Sequence, residues 1–405
     1  MKKFLAILLA GIMVLGLTAC GQKAAAPAAE APAATEAPAK EEAAPAKEEA
    51  APEATEAPAA PVDDTVYTLV VTNHDASTSV GEQYVETLFN EMSEASGGRL
   101  QFVFNAGGSL FGGGEAVAAV KDGAADICWN ATSITVGVFP VSEFINVPLN
   151  GITCARMGSK VLNDMIKEIP ECADEYKDFH VVEVQACSTA PLSTVGFKIE
   201  KPEDFQGKSI RSAGTVQSSY VQMLGAAPSS MGTSEVYEAL SKNVVSGMTN
   251  DWHNIDCFNL YEVVDYCMDY PINATSCFLL MNKDTYESLP ADLQALIDSY
   301  SDYASDMAGY YWDCMRFITG DKMEANGVEI YQPSDDVLAF MSSDEKAEEM
   351  KAWYINYLNE KNLDGQAIWD KCEEIVARYA DEYADPFAEK IELSGWDPAC
   401  YADYQ

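Results

Sequence analysis

Asn130 and Asn250 occupy matching places in two stretches of this chain. Glu115-Ala-Val-Ala-Ala-Val-Lys-Asp-Gly-Ala-Ala-Asp-Ile-Cys-Trp-Asn130 can be laid over Glu235-Val-Tyr-Glu-Ala-Leu-Ser-Lys-Asn-Val-Val-Ser-Gly-Met-Thr-Asn250. Ala119 falls on Ala239 and Val120 on Leu240. Gly123 and Asn243, both tolerant of the left-handed conformation, end a helix at the same point. Each stretch therefore reads as helix, turn and strand, with an amide side chain at the strand's carboxyl end. That amide offers donors and an acceptor together, and ligands of open α/β sheets bind at that edge. Such chemistry captures a polar ligand and breaks no bond. The three histidines, His74, His180 and His253, sit in no Gly-x-Ser-x-Gly or His-Glu-x-x-His motif. The glycine-rich run Gly107 to Gly114 lacks the Lys-Ser/Thr of a phosphate loop and reads as a loop ahead of a helix. No catalytic residue, metal site or cofactor is expected.

Composition narrows the partners. The formal charge is -39, of which about -36 falls on the part after residue 62; such a surface repels nucleic acid and anionic lipid. Cys20 apart, ten cysteines are scattered without a Cys-x-x-Cys, and no histidine lies near them at metal-ligand spacing. Cys128, Cys267 and Cys277 lie in apolar runs and read as small buried thiols. The N-terminus reads as an export signal, with Lys2 and Lys3 ahead of an apolar stretch from Phe4 to Leu17. Its ending, Leu17-Thr18-Ala19-Cys20, resembles the lipobox of bacterial lipoproteins, which implies lipidation at Cys20 and an anchor in a membrane. Residues 21–62 are almost all Ala, Pro, Glu, Lys and Thr and read as a disordered tether, because proline recurs and no apolar seam exists.

The elements that must position Asn130 and Asn250 alternate. Tyr67 to Thr72 is a β-branched, alternating strand. Tyr84, Val85, Leu88, Phe89 and Met92 give Gly81 to Ala95 helical spacing, and Gly97-Gly98 ends it. Leu100 to Phe104 is a strand, Glu115 to Lys121 a helix and Ala125 to Trp129 a strand. The order implies a mostly parallel sheet covered by helices on both faces. About 340 residues after the tether exceed one ordinary core, so two domains are expected. Two similar halves facing a cleft describe a bilobed binding protein. Met350, Trp353, Tyr354 and Tyr357 predict a C-terminal helix packed on the lobes.

Lys201-Pro-Glu-Asp-Phe-Gln-Gly-Lys-Ser-Ile-Arg211 resembles a stretch of the solute-binding proteins of TRAP (tripartite ATP-independent periplasmic) transporters, dicarboxylate-binding type. The likeness continues through Leu224-Gly225-Ala226, Pro228, Met231, Ser234-Glu235-Val236-Tyr237 and Asn250, and resumes at Met281-Asn282-Lys283 and Ser288-Leu289-Pro290. Ser96-Gly97-Gly98-Arg99-Leu100 and Phe139-Pro140 carry it in the first half. The resemblance implies an α/β, bilobed periplasmic-binding-protein-like fold (type II), with crossing strands and a long helix. It implies lobe I over 63–187 and 276–314, and lobe II over 188–275 and 315–405. It implies an extracytoplasmic receptor, not an enzyme, that captures a small organic acid at the outer face of the cytoplasmic membrane and hands it to the permease subunits. The alternatives are a ligand-binding sensor and an extracellular enzyme. Arg211 would fork onto the ligand carboxylate, which suits a planar guanidinium with parallel donors. Asn250, Asn130, Thr233, Asn73, His74 and Trp252 would line the cleft, with helix capping open for Thr233, the surface for His74 and core packing for Trp252. The chain departs from acid-sugar binders in having no basic residue in Ser188 to Thr194, and from the family in having Ser246 for an aspartate and Asn243 for a glycine.

Overall fold

The computed structural model describes residues 64–404. The expected signal peptide, Cys20 and the tether lie outside the described residues. Eleven strands run in chain order: β1 (Tyr67–Thr72), β2 (Leu100–Asn105), β3 (Ile127–Ala131), β4 (Phe179–Ala186), β5 (Leu192–Thr194), β6 (Ser209–Ser212), β7 (Ala227–Ser230), β8 (Gly247–Thr249), β9 (Tyr266–Met268), β10 (Ser276–Asn282) and β11 (Glu329–Tyr331). They form two sheets, ordered β2-β1-β3-β10-β4 and β11-β9-β5-β8-β6-β7. β1 pairs parallel with β2 and β3, and β6 pairs parallel with β7 and β8. β10 runs antiparallel between β3 and β4, and β5 antiparallel between β8 and β9. The chain thus passes from one sheet to the other after β4 and back after β9. The fold is mixed α/β and two-lobed, one sheet to a lobe.

The repeat has a structural counterpart. The helices Gly113–Lys121 and Thr233–Ser241 lead into β3 and β8 through the same turn. Gly123 has φ 73° and Asn243 φ 53°. Ala124 N–H donates to Ala119 O and Val244 N–H to Ala239 O, each at 2.8 Å. A left-handed residue is what lets the chain fold back to reach those free carbonyls. Asp126 Oδ2 then accepts the β1 amide of Val70 at 2.8 Å, whereas Ser246 in the same place donates to Ser209 O at 3.1 Å.

Two apolar layers cover the sheets, and strand alternation sorts side chains between them. In β10, Phe278 and Leu280 join one layer, while Cys277, Leu279 and Met281 join the other. Successive residues of a strand face opposite sides, so one strand feeds both layers. A bulge at Val182 of β4 separates the pairs Leu279–Glu183 and Leu280–Val181, and the buried Glu183 lies beside Tyr84. The 25-residue helix Ser301–Ala325 lies across β4 and buries Tyr303, Met307, Trp312 and Met315.

The region 315–405, expected in lobe II, makes contacts to elements of both sheets. β11 does pair with β9. The helix Asp344–Asn359, however, buries Met350, Tyr354 and Leu358, and Tyr354 Oη donates to Pro140 O at 2.8 Å. Trp369 packs on Phe144, ring centroids 5.3 Å apart. Tyr401 stacks on Tyr300 at 4.2 Å. Lys346 Nζ reaches Met223 O of the second lobe at 2.9 Å. The segment therefore touches elements of both lobes.

Candidate ligand-binding site

A cleft of about 590 Å³ opens between the carboxyl ends of β3, β6 and β8. Arg211, in β6 between β7 and β8, enters it from below and is 3 % exposed. Every guanidinium N–H finds an oxygen. Nε and Nη2 donate to Met231 O at 3.3 and 3.0 Å. Nη2 also donates to Thr233 Oγ1 at 3.2 Å, and Nη1 to Thr249 O at 3.4 Å and to Asn250 Oδ1. The side chain is held in one pose before any ligand arrives. Burial lowers its pKa to about 10 while Asp251 works the other way, so it stays charged at neutral pH.

The backbone adds to that field. The helices Gly113–Lys121, Gly214–Met223 and Thr233–Ser241 all begin at the cleft, with N-cap residues Gly112, Ala213 and Gly232 that place no capping side chain on the first turn. Elsewhere Ser79, Ser334 and Ser343 do cap their helices. First-turn N–H groups left without side-chain acceptors, at the positive end of the helix dipole, favour an anion. Gly214, at φ 67° and against Ser133 O, allows the chain to enter its helix there.

Arg211, Asn250, Thr233 and His74 all line the cleft. Burial lowers the pKa of His74 against the pull of Asp75, so its ring is neutral at pH 7. The other three expected residues do not line it. Asn130 is buried and its Nδ2 donates to Gly113 O at 2.7 Å, so it holds the start of a helix that does. Asn73 bonds Glu82 at 2.8 Å and receives Asp75 N–H at 3.0 Å, which shapes the turn after β1. Trp252 is 2 % exposed within an apolar layer, and its carbonyl accepts Thr319 Oγ1.

Trp129, Gln217, Asp251 and Phe258 line the cleft and were not among the expected residues. Trp129 precedes Asn130 on one strand, so the two must face opposite sides. The sequence gives that alternation but not which of the two looks at the cleft. The Gly107 to Gly114 run, read only as a loop, supplies much of one wall. Asp251 caps the following helix through Asn254 N–H at 2.9 Å. Among the described lining residues Arg211 is the one Lys or Arg, and Asp251 the one carboxylate. The Nδ2 of Asn250 and the Nε1 of Trp129 are buried donors without a protein acceptor.

Behind His74, Asp75 and His253 form a buried pair at 2.9 Å. Burial opposes its charges, but each partner outweighs that for the other, lowering the pKa of Asp75 and holding His253 well above its usual value. Cys257, four residues after His253, completes a group of three that could offer ligand atoms to a metal. The i, i+4 spacing of His253 and Cys257 is an exception to the expectation that no histidine lies near a cysteine at metal-ligand spacing. His253 Nε2 is already committed to Asp75, so the cluster reads as an ion pair.

Residues 71–354 match the model of the DctP family, bacterial extracellular solute-binding protein, family 7. A solute-binding protein of Sulfitobacter sp. is 34 % identical over 96 residues, which cover 24 % of this chain and 29 % of that one. The C4-dicarboxylate-binding periplasmic protein DctP of Rhodobacter capsulatus is 31 % identical over 125 residues, 28 % of this chain and 38 % of the relative. The matched stretches thus span well under two thirds of those relatives. A marine-metagenome TRAP solute-binding protein specific for aromatic acids, in complex with 3-hydroxybenzoate, superposes with a TM-score of 0.73 at 24 % identity, covering 78 % of this chain and 99 % of that one. A TRAP solute-binding protein from Rhodoferax ferrireducens, with copurified benzoate, gives 0.73 at 23 % identity, covering 79 % and 100 %.

Proposed function

The chain belongs to the bacterial extracellular solute-binding protein family 7, and on that premise we propose that it captures an organic acid with a single carboxylate outside the cytoplasm and delivers it to a TRAP-type secondary transporter. The observation that carries this reading is Arg211: buried, charged and fixed in the cleft among three helix N-termini. The ligand carboxylate takes the Nη1/Nη2 edge, displacing the neutral oxygens of Asn250 and Thr233. Charge-assisted, bidentate contact makes that exchange favourable.

Asp251 narrows the ligand. A second carboxylate would find no cation among the described lining residues and would meet Asp251 instead. This favours a monocarboxylate over a dicarboxylate. Trp129 and Phe258 offer an apolar surface to the rest of the ligand, in keeping with the benzoate and hydroxybenzoate of the two structural relatives. The chain binds without turnover and is anchored through a lipid on Cys20. Native mass spectrometry of the purified full chain tests the reading: a retained small acid is expected, lost in Arg211→Ala. No heat in calorimetric titration with a broad panel of mono- and dicarboxylates would sink it.

A further inference from the structure

The first two passages between the sheets each carry a cysteine at the same spot. Cys187 follows β4 as the chain leaves the first sheet, and Cys277 lies at the start of β10 as it returns. Cys187 N–H donates to Thr275 O at 2.8 Å, and Ala186 pairs with Ser276, so the strands are adjacent there. The two Sγ atoms are 3.1 Å apart. Both residues line the cleft although each is at most 3 % exposed. No other pair of sulfurs among the described cysteines is recorded in such contact, and eight of these ten are buried.

We propose that Cys187 and Cys277 are a dithiol that a small disulfide donor, entering through the cleft, oxidises to a disulfide tying the two crossing strands together. The thiolate of one cysteine attacks the donor's disulfide and expels one donor thiolate. The second cysteine attacks the mixed disulfide and expels the other. The two cysteine protons end on the two released donor thiols, so two thiols are oxidised and one disulfide is reduced. The contact between the thiols, then burial, holds Cys187 well above its usual range, and burial raises Cys277 as well, so the exchange quickens as pH rises. The bond closes a loop containing all of β5 to β9. Closing so long a loop constrains the unfolded chain, and the position restrains twisting of the crossing strands.

The test treats the full chain with oxidised glutathione, blocks remaining thiols under denaturing conditions and maps the peptides. The expected first product is the Cys187–Cys277 cross-linked peptide, two hydrogens lighter than its reduced parts. It comes with a raised melting temperature, and dithiothreitol reverses both. Cys187→Ser and Cys277→Ser should each lose the cross-link and the shift. Two blocked thiols at these positions, under conditions that oxidise a control dithiol peptide, would overturn the proposal, whatever the variants do. So would a first cross-link elsewhere, or a cross-link that leaves the melting temperature unchanged.

Discussion

Arg211 is a charge whose partners are all neutral oxygens of the protein. A charge-assisted hydrogen bond contributes about 1.5–3 kcal/mol. Arg211→Ala should therefore weaken binding of the identified acid at least about tenfold, with the melting temperature little changed. Arg211→Lys should restore only part of that, since a point charge lacks the fork. Equal affinities of wild type and alanine variant by calorimetry would remove Arg211 from the mechanism. Asp251 carries the opposite prediction. Asp251→Asn keeps an acceptor for Asn254 N–H but removes the negative charge. Dicarboxylates should then bind several-fold better relative to monocarboxylates than in the wild type. An unchanged ratio would show that Asp251 does not set the choice.

At the level of elements, the two helix–turn–strand units depend on one left-handed residue each. Gly123→Ala puts a Cβ in that conformation, with its nearest neighbour, Asn282 Nδ2, at 3.8 Å. Only backbone strain acts, and it should cost about 1–2 kcal/mol. Asn243→Gly should be neutral or stabilise by under about 1 kcal/mol. Urea denaturation measures both; no loss in Gly123→Ala would mean the turn relaxes. These units were legible because helix period, turn residue and strand alternation agree over sixteen positions. The different uses of their asparagines were not. Asn130 sits inside β3 with its amide on a helix start, while Asn250 lies one residue beyond β8 and meets Arg211. That difference is set by where each strand stops, which the pattern does not encode. The C-terminal strap was legible as a helix, but helical spacing alone did not say which elements its apolar face would cover.

Under the acidic surface, four buried carboxyls hold their protons into the neutral range. Burial raises Glu183 and Glu175 to about 8, and Glu82 and Glu143 to about 7. Their unfolded values lie near 4.5. Between these limits the folded state holds more protons, so rising pH removes stability until the folded values are passed. His74 and His180, lowered by burial, pull the other way below 6.5, but the four carboxyls outnumber them. The melting temperature should fall from about pH 6 to about pH 8, and less so in Glu183→Gln. A flat or rising profile would contradict the burial of these acids. The net charge also predicts kinetics. Raising salt from about 0.01 M to about 0.1 M should leave the association rate of an anionic ligand unchanged or faster, because screening relieves repulsion. Stopped-flow fluorescence of the cleft's Trp129 reads this, and a steep fall with salt would reveal an attracting mouth instead.

The alternation of β10 between the two apolar layers behaves like a reading frame. Exchanging one side chain for another of similar size alters a single word. Inserting or deleting one residue between Ser276 and Asn282 shifts every later one to the wrong side, sending Phe278's layer what Leu279's layer needs. The same strand sets the level at which the chain re-enters the first sheet, next to Cys277 and Thr275 at the cleft floor. Descent with this fold should therefore be permissive in spelling along β10 and intolerant of any change in its length. Length variation is free to collect in the exposed turns that never count in twos.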